Sequence, residues 1–308
     1  MGLALQGPAA AAGTVPQVTV LDKVQSARAA GLGGSGGAIG ADPGLIWENP
    51  AAAAGASRSS LSIGGTRGTF DELSGQVLYG LDAENGIVTM GLAWYNAGTV
   101  TANTPDGGTI RLATQQDVAG TFGFAGEVIP RITMGANMKF FRSELAGMFH
   151  LTTLAMDAGA QARITDAFKV GAAIRNAGGS YRYAEDSASA PIAARVGAVL
   201  AWRPGLFEIA DGLARDLILL VGDVEDTLIA KRIWYHAGAE YRVGDAVAIR
   251  GGWRVGPPGS IGGVSAGLSA GFSLPGRERD TRYRVDYAIE FNTGPFDRPQ
   301  TVGLTVEW

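Results

Sequence analysis

The last eight residues, Thr301-Val302-Gly303-Leu304-Thr305-Val306-Glu307-Trp308, decide the fold. Val302, Leu304, Val306 and Trp308 alternate with Thr301, Gly303, Thr305 and Glu307, the period-2 pattern of a strand whose two faces meet unlike surroundings. Upstream of this strand, the chain from about Ser59 onward breaks into short alternating segments divided by Gly, Asp, Asn and Pro, and none carries a sustained 3.6-residue stripe. Fourteen strands are predicted, at approximately 59–65, 73–81, 86–96, 116–127, 131–142, 151–164, 168–176, 192–203, 216–225, 233–243, 246–254, 262–274, 282–291 and 300–308. An even number of antiparallel strands closes into a barrel with both ends on one side.

The faces differ as a membrane requires. Tyr283, Val285, Tyr287, Ile289 and Phe291 oppose Arg282, Arg284, Asp286 and Glu290; Ile233, Tyr235, Ala237, Ala239, Tyr241 and Val243 oppose His236, Gly238, Glu240 and Arg242. Segment 192–203 sets Val196, Leu200 and Trp202 against Arg195 and Arg203, and segment 131–142 sets Met134, Met138 and Phe140 against Arg131, Asn137 and Lys139. The expected lumen charges are Arg195, His236, Glu240, Arg242, Arg250, Arg284, Asp286 and Glu290. Connections alternate in length: 97–115 and 178–191 are long, whereas 128–130, 165–167 and Gly244-Asp245 are short. Short turns belong to the periplasmic side, so both termini are expected there; the connection 204–215 is the long exception and is expected to hold a helical turn. Trp94, Phe140, Tyr235 and Trp253 fall near the external strand ends and Trp202, Tyr241, Tyr283 and Trp308 near the periplasmic ends, the placement of two interfacial girdles.

Composition removes other classes. No apolar run approaches the roughly eighteen residues of a spanning helix, and a net charge of −4 offers nucleic acid no basic field. The absence of cysteine excludes disulfides, thiolate metal sites and a cysteine nucleophile. Residues 1–23, which include Pro8-Ala9-Ala10-Ala11-Ala12-Gly13, read as an export remnant or a flexible tail.

The closing strand resembles that of bacterial outer-membrane barrels, with Thr301, Gly303, Val306 and Trp308 at the positions of the terminal signal that the barrel-assembly machinery recognises. Before the barrel, Ala27-Arg28-Ala29-Ala30-Gly31-Leu32-Gly33-Gly34 leads through Asp42-Pro43 to Asn49-Pro50-Ala51. This region resembles the N-terminal segment of FadL-like barrels and of the PorV/PorQ family, where it forms a plug or hatch. Asp157-Ala158-Gly159-Ala160, Lys169 to Gly178, Pro191, His236 to Tyr241 and Ala248 to Gly252 look like recurrent PorV/PorQ blocks. The resemblance covers nearly the whole chain. It implies an all-β, fourteen-stranded antiparallel transmembrane barrel of FadL-like fold, with a plug over 24–57 and a barrel over 58–308. Plug or gating residues are then expected at Gly31, Gly33, Gly34, Asp42, Asn49 and Pro50.

Other motifs fail in context. Gly31-x-Gly33-x-x-Gly36 has the spacing of a dinucleotide loop but no strand–helix unit around it. His150 and His236 are too few for a zinc site without thiolates. Asp223 and Glu225 share a strand face, where lumen charges opposite arginines account for them. No Gly-x-Ser-x-Gly elbow occurs. No enzyme, cofactor or metal is expected. PorV resemblance implies a secretion-associated barrel of type IX kind that holds or delivers exported proteins; FadL-like resemblance implies a passage for hydrophobic small molecules; a structural envelope barrel is the third reading. The expected partners are outer-membrane lipid, the barrel-assembly machinery, secreted proteins or secretion components, and a hydrophobic ligand. Leu217, Leu219 and Val221 share the parity of Asp223, and are expected to present an apolar patch to the plug or to a lipid-like ligand.

Overall fold

The computed structural model describes residues 19–23, 26–56, 58–68, 72–103, 108–145, 147, 149–178, 180–183, 186–206, 216–275, 280–292 and 298–308. Alternation along the chain yields strands β1 (Ser60–Arg67), β2 (Leu73–Ala83), β3 (Gly86–Asn96), β4 (Thr99–Asn103), β5 (Thr109–Ala113), β6 (Gln115–Ile129), β7 (Ile132–Leu145), β8 (Phe149–Arg163) and β9 (Phe168–Ala177). The series continues with β10 (Ser180–Tyr183), β11 (Asp186–Ser189), β12 (Ala193–Trp202), β13 (Asp216–Thr227), β14 (Arg232–Val243), β15 (Val247–Val255), β16 (Gly263–Leu274), β17 (Thr281–Asn292) and β18 (Gln300–Glu307). Fourteen of these close an antiparallel barrel, while β4–β5 and β10–β11 are separate two-stranded hairpins. The hairpins occupy the two connections that sequence assigned to long external loops, and give them ordered structure that the sequence reading did not anticipate. The expected helical turn in 204–215 falls mainly on 207–215, outside the described residues.

β1 closes on β18 in register from Ser60↔Glu307 to Arg67↔Gln300. Inside this seam the hydroxyls of Ser62 and Thr305 lie 3.1 Å apart and those of Thr66 and Thr301 2.9 Å. Outside it, Val302 is 52% exposed and Leu304 41%, whereas Thr301 is 2% exposed. The same inversion runs around the wall, with Met138, Phe140, Val196 and Leu268 more than half exposed while Asn137, Lys139, Arg195 and Ser269 are buried. A contiguous apolar exterior around a polar interior is the arrangement that hydrocarbon stabilises and water penalises. No helix among the described residues is long and apolar enough to cross a membrane; the strands are the crossing elements.

The girdle residues Trp202, Trp253, Tyr235 and Trp308 are exposed on the outer surface. Tyr283 stacks on Phe272 with ring centroids 5.0 Å apart, and Tyr241 is half-buried with its hydroxyl donating to Asp216 at 3.3 Å. Arg131, assigned by parity to the lumen face, instead sits in the β6–β7 turn with φ +73°.

Within the barrel lie helices α1 (Thr19–Asp22) and α2 (Ala27–Gly31) and two 3₁₀ turns, Pro43–Leu45 and Pro50–Ala53. Each turn begins with the same device. Pro fixes φ at the first position, and the preceding Asp42 or Asn49 accepts from a backbone N–H two residues on, at 3.0 Å from Gly44 and 2.9 Å from Ala51. Val20, Leu21, Ile46 and Trp47 pack on Leu78, Ile87, Tyr95 and Phe141 of the wall. Ala29, Leu32, Ile39 and Leu45 pack on Val199, Leu219 and Val221. The apolar row of β13 thus meets the internal segment. α1 also corrects a boundary: residues 19–22, placed by sequence in an N-terminal tail, form a helix inside the barrel, and the Val20 N–H donates to Asp117 at 3.2 Å. Residues 1–18 lie outside the described residues.

Candidate functional site

Three kinds of contact hold the internal segment: glycine against backbone, buried ions, and amide side chains. Gly252 and Gly159 illustrate the first. A Cβ on Gly252 would stand 2.0 Å from the Gly33 nitrogen, and one on Gly159 would stand 2.0 Å from Asn49 Oδ1. Real Cβ atoms do not tolerate such distances, so only glycine admits the segment this close to the wall. Gly33 itself has φ +69° and Gly34 +84°, the left-handed region where a side chain is strained. Gly31 comes within the same close packing at Gly267, and Pro50 abuts Gly135.

One ionic cluster joins α2 to β14, β15 and β17. Arg28 grips Glu240 with two parallel bonds, Nε to Oε2 at 2.9 Å and Nη2 to Oε1 at 2.8 Å, and donates Nη1 to Asp42 at 2.7 Å. Arg250 donates to Glu240 at 2.6 Å and to Asp286 at 2.8 Å; Arg284 donates to Asp286 at 2.9 Å. Burial pushes the Asp42 carboxyl up, but the Arg284 and Arg28 guanidiniums outweigh it and hold the group below the ordinary aspartate value. Planar guanidiniums met by carboxylates in this fork geometry combine charge with orientation.

The second cluster lies nearer the hairpin end. Asp223 accepts the Gly36 and Gly37 N–H groups at 2.8 and 2.9 Å, and Arg195 donates to the Gly34 carbonyl at 2.7 Å. Arg175 and Arg195 both pair with Glu225 and lie 3.5 and 3.3 Å from Glu48. Glu48 is fully buried, neither of its carboxylate oxygens has a hydrogen bond, and burial pushes its pKa up. His236 Nδ1–H donates to the Gly33 carbonyl at 2.8 Å. Asn49 Nδ2 donates to the Gly37 carbonyl at 2.6 Å.

Of the residues singled out from sequence, Gly31, Gly33, Gly34, Asp42, Asn49, Pro50, Arg195, His236, Glu240, Arg250, Arg284 and Asp286 meet at this plug–wall interface. Two stand apart from it: Glu290 faces Arg254 at 3.6 Å near the hairpin end, and Arg242 lines a cavity at the opposite end. Thr301 lies at the closing seam opposite Thr66, Gly303 pairs with Gly64, Val306 pairs with Leu61, and the Trp308 N–H donates to the Ser59 carbonyl at 3.1 Å. Arg28, Glu48, Arg175 and Asp157 were missed as site residues, and Lys139 was placed on the charged face without a partner. Arg28 and Glu48 flank the quoted Gly-rich and Asn-Pro motifs, so position in those motifs was an available signal. Asp223, read only as a lumen charge, proves to be a plug contact, while Glu225 pairs with the wall arginines Arg175 and Arg195 that face Glu48.

Alternation conceals the remaining group. The β8–β9 ladder shifts register between Met156 and Ala158, and Asn176 has φ +57°, so Arg175 and Asn176 both point inward. Asp157 accepts the Asn176 N–H at 2.7 Å and pairs with Lys139 at 2.7 Å, and Lys139 sits 5.2 Å from the Trp47 ring centroid. A bulge of this kind re-aims side chains at the cost of one ladder bond.

The plug separates two cavities. One of about 340 Å³ at the hairpin end is lined by Asp22, Glu48, Arg195, Glu225, His236 and Arg254. The other, about 680 Å³, opens at the end that carries both barrel termini, and its wall includes Lys169, Val199, Ala201, Leu217, Leu219 and Arg242. Among the described residues no three His, Cys, Asp or Glu side chains group to hold a metal ion.

Fold and interior together define a plugged fourteen-stranded barrel of FadL-like fold. The solved structures it is similar to include the Pseudomonas putida toluene transporter TodX, at 10% identity and a TM-score of 0.58 over 92% of this chain and 97% of that one. They also include a Pseudomonas aeruginosa FadL homologue, at 13% identity and a TM-score of 0.54 over 93% and 98%. No family model matches the chain, and no curated protein does. At these identities the likeness is one of fold; the finer resemblance to PorV/PorQ proteins rests on the sequence blocks alone.

Proposed function

We propose that this chain is a non-enzymatic, plugged passage of the bacterial outer membrane for small molecules with an apolar body. The observation that carries the proposal is the inward apolar strip of Val199, Ala201, Leu217 and Leu219. It begins under the plug and continues along the cavity at the terminal end, whereas an aqueous pore would have polar walls throughout. The similarity in fold to a toluene transporter supports the same reading. In this proposal the termini face the periplasm and the two hairpins face outward. A host whose outer membrane excludes a neutral apolar dye provides the test. Expression of the chain should raise dye uptake, and Leu219→Glu should abolish the increase at equal barrel abundance. Uptake no faster than in host cells without the chain would overturn the proposal.

A second reading is the secretion-associated barrel of PorV/PorQ type. The density of ion pairs across the plug favours it, because a plug tied at this many points suits a barrel that holds a partner at its mouth. An exported protein that co-purifies in equal amount, and is released by changes at the mouth but not at Leu219, would support it over passage.

A further inference from the structure

The cations of the terminal-end cavity nearest the plug are matched, whereas Arg163, Lys169, Arg203 and Arg242 on its wall have no carboxylate partner among the described residues. Glu240 is taken by Arg28 and Arg250, Asp286 by Arg250 and Arg284, and Asp245 lies 3.3 Å from Arg282. Arg242 lines the same cavity on β14, half-buried, and among the described residues no carboxylate pairs with it. Arg28 and Arg284 oppose its charge, while Glu240 and Asp245 favour it from beyond ion-pair distance and are themselves taken by other arginines. A half-buried guanidinium that must share its nearest carboxylates with other arginines is stabilised by an anion of its own.

The surroundings of Arg242 specify more than charge. Its direct partner across the β13–β14 ladder is Leu217, and Leu219 is two residues further on the same face. Directly opposed residues in such a ladder stand about 5 Å apart, so a carboxylate on Arg242 would place the attached group on Leu217. Beyond it lie Leu219, Val199 and Ala201, and the cavity volume of about 680 Å³ sits within the usual range of ligand pockets, roughly 300–1,000 Å³. We infer that Arg242 and the Leu217–Leu219 strip form a binding site for a small amphipathic organic anion, a carboxylate on a compact apolar body, on the terminal side of the plug. The site deepens the passage reading and rests on it for its biological sense, yet binding is measured without flux, so either can fail alone.

The test uses the full detergent-purified chain at low ionic strength, titrated calorimetrically with benzoate, benzyl alcohol and inorganic phosphate. Benzoate should bind about tenfold or more tightly than either of the others, because only it offers both charge and ring. Arg242→Gln should remove most of that affinity, while Arg242→Lys should keep part of it. Equal benzoate affinity in Arg242→Gln and the unaltered chain, or benzyl alcohol binding as well as benzoate, would overturn the role of charge. Phosphate binding as well as benzoate would overturn the role of the apolar strip. Should Arg242→Gln fail to fold, Leu217→Ser carries the test: weakened benzoate binding with phosphate unchanged supports the site, and unchanged benzoate binding overturns it. Absence of benzoate binding at millimolar concentration overturns the inference without touching the passage of neutral molecules.

Discussion

Single glycines on the inner wall set how close the plug can come. Gly252 faces the Gly33 nitrogen, whereas a Cβ on its neighbour Gly251, on the opposite face of the same strand, would meet nothing within 4 Å. Gly252→Ala should therefore destabilise the barrel by about 1–3 kcal/mol, as overpacking does, and Gly251→Ala should not; thermal unfolding in detergent distinguishes them. Glu48 makes a complementary case. Its folded pKa lies above the ordinary value of 4.5, so the native state favours the protonated form and loses stability as pH rises above that value. Glu48→Gln imitates the protonated group. It should melt higher than the unaltered chain at pH 8, with the advantage gone below about pH 4, where both carry no charge. An equal or lower melting temperature at pH 8 would show that the arginine neighbours outweigh burial.

At the scale of elements, α2 and the two Asx-Pro turns are too short to be stable alone, and the wall holds them. Glu240 receives Arg28 from the plug and Arg250 from the wall. Glu240→Gln breaks a buried pair on each side, a loss of about 3–5 kcal/mol in comparable cases. Single-channel recordings should show increased conductance in this variant, and a larger increase on deletion of residues 20–54. Unchanged conductance in the deletion would mean that the plug does not limit flow. For β18, the proposed assembly role of Trp308 needs a matched control. Trp94 covers Gly75 so closely that a Cβ there would lie 2.2 Å from its ring, whereas Trp253 is 50% exposed against 44% for Trp308. Trp308→Asp should reduce the folded barrel recovered in outer-membrane fractions more than Trp253→Asp does. Equal recovery would leave the terminal residues as an ordinary strand.

Across the whole molecule, what was legible in sequence is what repeats. Alternation exposes all fourteen barrel strands because lipid on one side and a polar lumen on the other impose the same period on every segment. The hairpins β4–β5 and β10–β11 were not legible, since strands of four or five residues are too short to display a period. The inward double placement of Arg175 and Asn176 was hidden because the bulge breaks the period at that position. In the interior, the quoted glycines and the Asp-Pro and Asn-Pro pairs marked the plug, but their partners did not announce themselves. The pairing of Arg28 with Glu240 spans 212 residues, a distance over which no local pattern reports contact. Closure of the barrel brings them together.

The glycines that admit the plug give the two parts of this chain a shared history. Gly135, Gly159, Gly171, Gly238 and Gly252 come from different strands, and each faces plug backbone or Asn49 at a distance that forbids any larger residue. Plug and wall are therefore not interchangeable modules. A plug taken from a barrel with side chains at these positions can keep every ionic partner and still find no room for its own bulk, and a wall glycine replaced in this chain cannot be offset by changes in charge. Descent should exchange the two as one unit, as a key is cut with its lock.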